Sequence, residues 1–114
     1  MSDYYKITKT DSITIITLLF SELSIEEAEH FKDDLYGIVS DSHNKFVINM
    51  NKCIFMPSVV LGILVKFNME VAGKKGVMVF CCLTEQVKTL FEITRLNKIF
   101  KIYTTEMEAL AALK

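Results

Sequence analysis

Apolar and polar positions along this chain alternate in some stretches and cluster in others, and the pattern assigns most of its elements. Tyr4 to Thr8 is short and rich in aromatic and β-branched residues, Asp11-Ser12 supplies a turn, and Ser12 to Phe20 reads SITIITLLF. In the second run Ile13, Ile15, Thr17 and Leu19 share one face and Thr14, Ile16, Leu18 and Phe20 the other. Two such runs across a tight turn predict an antiparallel hairpin. A strand apolar on both faces belongs inside a sheet. Ser24-Ile25-Glu26-Glu27 then reads as a capping box, in which the Ser oxygen takes the N3 amide and Glu27 reaches back. Ile25, Ala28, Phe31, Leu35 and Ile38 follow at near-helical spacing and predict a first helix with one buried face. Ser40 to Asn44 is polar and ends it.

Lys45 to Met50 predicts a strand, with Phe46, Ile48 and Met50 opposite Val47 and Asn49. A loop over Asn51 to Pro57 leads to a second helix from about Ser58 to Val71, closed by Gly73-Lys74-Lys75-Gly76. Val77 to Cys82 is a strand, and Thr84-Glu85-Gln86 caps a third helix with a stripe of Val87, Leu90, Phe91 and Thr94. Ile99 to Tyr103 is a short last strand, and Thr105 to Leu113 an amphipathic terminal helix. The order is β-β-α-β-α-β-α-β-α. Strands joined through helices lie parallel with right-handed crossovers. The expectation is one α/β domain over residues 1–114, with a mixed sheet of about five strands and four helices mainly on one face. Polar Thr14 and Asn49 on otherwise apolar strands fit a sheet whose faces are unequally covered.

The length of 114 residues agrees with a single core. With 13 basic and 14 acidic residues the formal charge is -1, which gives no field to attract nucleic acid or anionic lipid. The opening Met1-Ser2-Asp3-Tyr4-Tyr5-Lys6 does not read as a signal peptide. The longest nearly uncharged run, Cys53 to Val65, is too short for a bilayer. Three cysteines, two of them adjacent, make no disulfide framework and suit a reducing cytoplasm.

Catalytic chemistry finds little footing. Gly73-Lys74-Lys75-Gly76 joins a helix to a strand, the wrong order for a phosphate-cradling loop. His30, near Glu26, Glu27 and Glu29, and His43 match no metal-ligand spacing. Asp33-Asp34 lacks an apolar setting to raise a pKa. Cys81 and Cys82 end a strand, so their side chains are expected on opposite faces as small buried hydrophobes. The reading is of a non-enzyme without cofactor or metal. The second helix is the anomaly. Val59, Val60, Leu61, Ile63, Leu64 and Val65 surround its first two turns, and its first charge is Lys66. A helix on a thin domain keeps a polar face, so exposed apolar side chains and a partner surface are expected here. The competing reading is cover from the terminal helix or a neighbouring loop.

The segment from Lys45 to Leu64, KFVINMNKCIFMPSVVLGIL, resembles the central stretch of STAS domains, the anti-sigma factor antagonists, with their V-x-F-I-D-S-S-G-L-G-x-L pattern. Leu83 to Phe100 resembles the family's L-s-P-e-V-r-e-l-l-e-l-t-G-L-d-k-l-F signature, and Tyr103 to Leu110 its closing strand and helix. The resemblance spans nearly the whole chain. It implies a bacterial cytoplasmic regulator that binds a protein partner, an anti-sigma factor of the serine-kinase type. The implied surface is the turn at Ser21 and Glu22 with the start of the second helix at Pro57, Ser58, Val59, Val60 and Leu61. Alternatives are an accessory or scaffold subunit of a transporter, a phospholipid-transport machine or a stressosome-like complex, a small-ligand-binding domain, and self-association through the same patch.

The departures matter as much. Pro57 stands for the family's Asp, Val59 for its phosphorylated Ser or Thr, and Val60 for its Gly. Phosphorylation there adds about -1.5 to -2 of charge to the docking surface, and valine cannot accept it. Ser58, one residue away, reads as the N-cap of the second helix, with a displaced phosphoacceptor as the alternative. The expectation is a constitutive binder without the phosphorylation switch.

Overall fold

The computed structural model describes residues 4–19 and 23–114. Its elements are β1 (Tyr5–Thr10), β2 (Ile13–Leu18), α1 (Ile25–Ile38), β3 (Lys45–Asn49), α2 (Ser58–Gly73), β4 (Val77–Cys81), α3 (Glu85–Ile93), β5 (Lys101–Tyr103) and α4 (Glu106–Leu113), with a 3-10 turn at Leu96–Lys98. The five strands lie side by side in chain order. β1 runs antiparallel to β2, and all later neighbours are parallel. The predicted fold class is therefore the observed one.

Register explains the two cores. Ile16, Ile48 and Phe80 stand abreast on the upper face, and Ile15, Val47 and Val79 abreast on the lower. The upper face packs against α1, α2 and α3 through Phe31, Leu35, Leu64, Phe67, Val87 and Phe91. Aromatic edges lock it, with Phe46 on Phe67 at 5.0 Å and Phe80 on Phe91 at 5.5 Å between ring centroids. Among the described residues, the helix that covers the lower face is α4, through Ala109 and Leu113. Asn49, predicted to mark unequal cover, is buried there and donates to Glu106 Oε1 at 2.7 Å.

Three local expectations change. Ile25 is 84% exposed rather than part of the buried stripe, because burial in α1 starts one turn later at Ala28. Thr94 is the exposed C-cap of α3 rather than part of its stripe, and its hydroxyl donates to the Leu90 carbonyl at 2.8 Å. The last strand starts at Lys101 because Ile99 still closes the 3-10 turn.

The close of α2 follows its predicted stop signal. The Lys75 amide donates to the Ala72 carbonyl at 3.0 Å and the Gly76 amide to the Val71 carbonyl at 2.9 Å, a Schellman pairing. Its left-handed position, φ 59°, is held by Lys75 and not by a glycine. Gly76 is required for a different reason: a Cβ there would run into the carbonyl of Asn44.

Candidate functional site

Because β2 to β5 are parallel, the loops that follow them emerge at one end of the sheet, where α2, α3 and α4 also begin. Pro57 sits at the α2 N-cap with φ -60° and ψ 146°, the extended backbone a cap needs. Its carbonyl accepts from Val60 at 3.0 Å and from Leu61 at 3.1 Å. No side chain caps this end. Ser58 is thus not the N-cap. It is the first helical residue, and its side chain is exposed.

The next three residues divide. Val59 is 52% exposed, Val60 is fully buried in the upper core, and Leu61 is half-buried against that core. Each residue turns the helix by about 100°, so neighbours cannot all face outward. Val60 leads an inward line continued by Ile63, Leu64, Phe67 and Val71. The expected surface residue Val60 is therefore corrected to a core residue. The outward line is Val59, Gly62, Lys66 and Met69. The apolar ring seen in the sequence is mostly core, with Val59 as its outward member in the first turn.

More apolar surface comes from the loop before α2. Met50, Cys53 and Met56 point inward, while Ile54 and Phe55 are each 57% exposed. The loop is pinned from below. The Cys53 amide donates to the Met50 carbonyl at 3.0 Å, the Cys53 thiol to the Phe55 carbonyl at 3.3 Å, and the Thr84 hydroxyl to the Cys53 carbonyl at 2.8 Å. At its start the Asn51 amide donates to Asn49 Oδ1 at 3.0 Å. Burial pushes the Cys53 thiol up, so it stays neutral and packs as an apolar group. Between this loop and α3 lies a groove of about 400 Å³, walled by Ile54, Phe55 and Met56 on one side and by Leu90 and Ile93 on the other.

Sequence reasoning missed Ile54, Phe55 and Ile93. The available signal was three consecutive apolar residues, Ile54-Phe55-Met56, in a connection where polar turn residues are usual. Ser21 and Glu22 lie outside the described residues.

Elsewhere His30 lies 3.7 Å from Asp34, and His43 Nδ1 lies 3.2 Å from the Ser42 hydroxyl. No group of three or more His, Cys, Asp or Glu able to hold a metal ion occurs among the described residues. Among them, too, no helix is long and apolar enough to cross a membrane. Cys81 and Cys82 depart from expectation. Cys82 has φ 63°, which breaks the strand alternation, and both side chains pack on the lower core.

The comparisons agree with this geometry. A Thermotoga neapolitana protein, a homologue of TM1081 described as a candidate anti-sigma factor antagonist, is 30% identical over 107 residues, covering 93% of this chain and 92% of the relative. The crystal structure of an anti-sigma factor antagonist from Mycobacterium paratuberculosis superposes with a TM-score of 0.82 at 22% identity, covering 96% of this chain and 92% of the other. The phosphorylated form of the Bacillus cell fate determinant SpoIIAA superposes at 0.74 and 19% identity, covering 96% and 99%. Both structures share the fold. The family model for the STAS domain matches residues 4–109, and the chain belongs to that family as an anti-sigma factor antagonist-like STAS domain.

Proposed function

We propose that this chain is a non-catalytic regulator of a bacterial cytoplasm that binds a kinase-type anti-sigma factor without a phosphorylation switch at the α2 loop. The observation that carries the reading is the start of α2. The exposed side chain at the position resembling the family's phosphoacceptor is Val59, an apolar group with no hydroxyl. Pro57 before it offers no amide to a phosphate and stiffens the entry to the helix. Ile54 and Phe55 extend the apolar surface on the same connection. Burial of such side chains supplies affinity that a change of charge does not reset.

Binding is tested with the chain and a kinase-type anti-sigma factor from the same genome, mixed with and without ATP, and followed by isothermal titration and intact mass. The expected result is a complex of unchanged affinity and no added phosphate. One phosphate on Ser58 with loss of binding overturns the unswitched reading. Failure of the pair to bind, with recovery instead of a transporter subunit or a stressosome-type scaffold, overturns the partner.

A further inference from the structure

Cys81 and Cys82 close β4, and extended neighbours normally point to opposite faces. The left-handed φ of 63° at Cys82 turns its side chain back onto the lower core beside Cys81. Cys81 is fully buried, whereas Cys82 is half-buried and reachable from solvent. Two neighbouring cysteine side chains thus share one face of the sheet, and one of the two residues is partly open to solvent. A direct S–S bond suits them poorly. The trans peptide holds adjacent Cα atoms about 3.8 Å apart, short of the roughly 4.4–6.8 Å that disulfides take. A single soft atom placed between the sulfurs relieves that compression.

We infer that Cys81 and Cys82 form a two-sulfur chelate for thiophilic trivalent arsenicals. Thiolate donors select soft centres. The described residues contain no third His, Cys, Asp or Glu grouped with the pair to complete a metal site, so a two-coordinate occupant fits and tetrahedral zinc does not. With an organoarsenic oxide, the sulfur of the half-buried Cys82 attacks arsenic first and that of the fully buried Cys81 second. Two As–S bonds form and the As=O bond breaks. Its oxygen leaves as water with both thiol protons, and arsenic keeps its oxidation state. Burial and the adjacent sulfur push the Cys81 thiol up, so it enters the second step still carrying the proton that the oxygen takes. Cys53 is buried with the upper core, on the other side of the sheet, and takes no part.

Phenylarsine oxide titrated into the reduced full chain, read by intact mass and free-thiol count, tests the site. The expected product carries one phenylarsenic per chain, with two of the three thiols lost. It resists a large excess of a monothiol and is stripped by a dithiol. Cys82→Ser abolishes the resistant adduct and Cys53→Ser leaves it intact. No adduct, an adduct that the monothiol strips, or one that survives Cys82→Ser overturns the inference. Should Cys82→Ser fail to fold, proteolytic mapping in Cys53→Ser decides: arsenic absent from the peptide holding residues 81 and 82 also overturns it.

Discussion

The starts of α1 and α2 handle their unpaired backbone amides in opposite ways. At α1 the Ser24 hydroxyl accepts the Glu27 amide at 3.1 Å while the Glu27 carboxylate accepts the Ser24 amide at 2.9 Å. Glu26 and Glu27 also place negative charge where the helix dipole favours it. α4 repeats the device with Thr105 and Glu108, each bond 3.1 Å. α2 has Pro57 at its cap, no capping side chain and no acidic residue in its first turn. Its exposed first-turn side chains are Ser58 and Val59. An end completed by its own side chains has little left to offer a partner. The α2 end leaves amides and apolar surface together, and water or a docked protein must complete them.

Four measurements can break or sharpen this contrast. The largest effect separates two adjacent valines. Val60→Asp buries an unpaired carboxylate in the upper core and should cost about 4 kcal/mol or more, enough to unfold the domain in urea titration. Val59→Asp should stay within about 0.5 kcal/mol of the parent while abolishing partner binding. Equal effects from the two would erase the division of α2 into an inner and an outer line.

The next effect is a pH dependence centred beneath the α2 loop and in the lower core. Burial raises the Cys53 and Cys81 thiols above their unfolded values. Folding therefore favours the neutral thiol. Its contribution is complete below an unfolded pKa of about 8.5 and drains as pH climbs toward the folded value. Stability should fall above about pH 8.5 by at most about 1.4 kcal/mol per pH unit for each thiol. Thermal melts between pH 7 and 10 should show the fall, and Cys53→Ala should flatten part of it.

Smaller changes test the caps themselves. Ser24→Ala removes the α1 box and should cost about 1 kcal/mol by denaturant midpoint. Ser58→Ala removes a hydroxyl that caps nothing and should change stability by no more than about 0.5 kcal/mol, toward greater stability. A cost at Ser58 matching that at Ser24 would restore the capping role the structure denies it. The smallest expected effect is at the far end of α2. Lys75→Gly relieves a left-handed residue, and after the entropy lost by glycine a gain of about 0.5 kcal/mol should remain in the same titration.

What could be read in advance divides along physical lines. Period-two alternation in β2 and β3 carries a phase, so the residues that share each face are legible in the sequence. The capping boxes at Ser24 and Thr105 are local, and Ser24 was legible for that reason. α2 is apolar around its first two turns, so its pattern has a period but no phase, and Val60 was placed outside when it lies at 0% exposure. Loops carry no period, which hid Ile54 and Phe55. The reversal at Cys82 depends on a single dihedral that no neighbouring residue type announces. Residue preference points to Ser58 as the cap of α2, whereas the fixed φ of proline suits Pro57 to that place.

Strand order equal to chain order has a consequence for synthesis. As the chain leaves the ribosome, each new strand adds beside the one just made, and no gap in the sheet waits for a later segment. The upper face gains its helices along the way, from α1 to α3. The lower face does not. Ile13, Ile15, Val47 and Val79 form an apolar strip whose cover, Ala109 and Leu113, is made only after all five strands. Until α4 emerges the nascent sheet is finished on one side and sticky on the other, a half-built state of the kind that aggregates or recruits a chaperone.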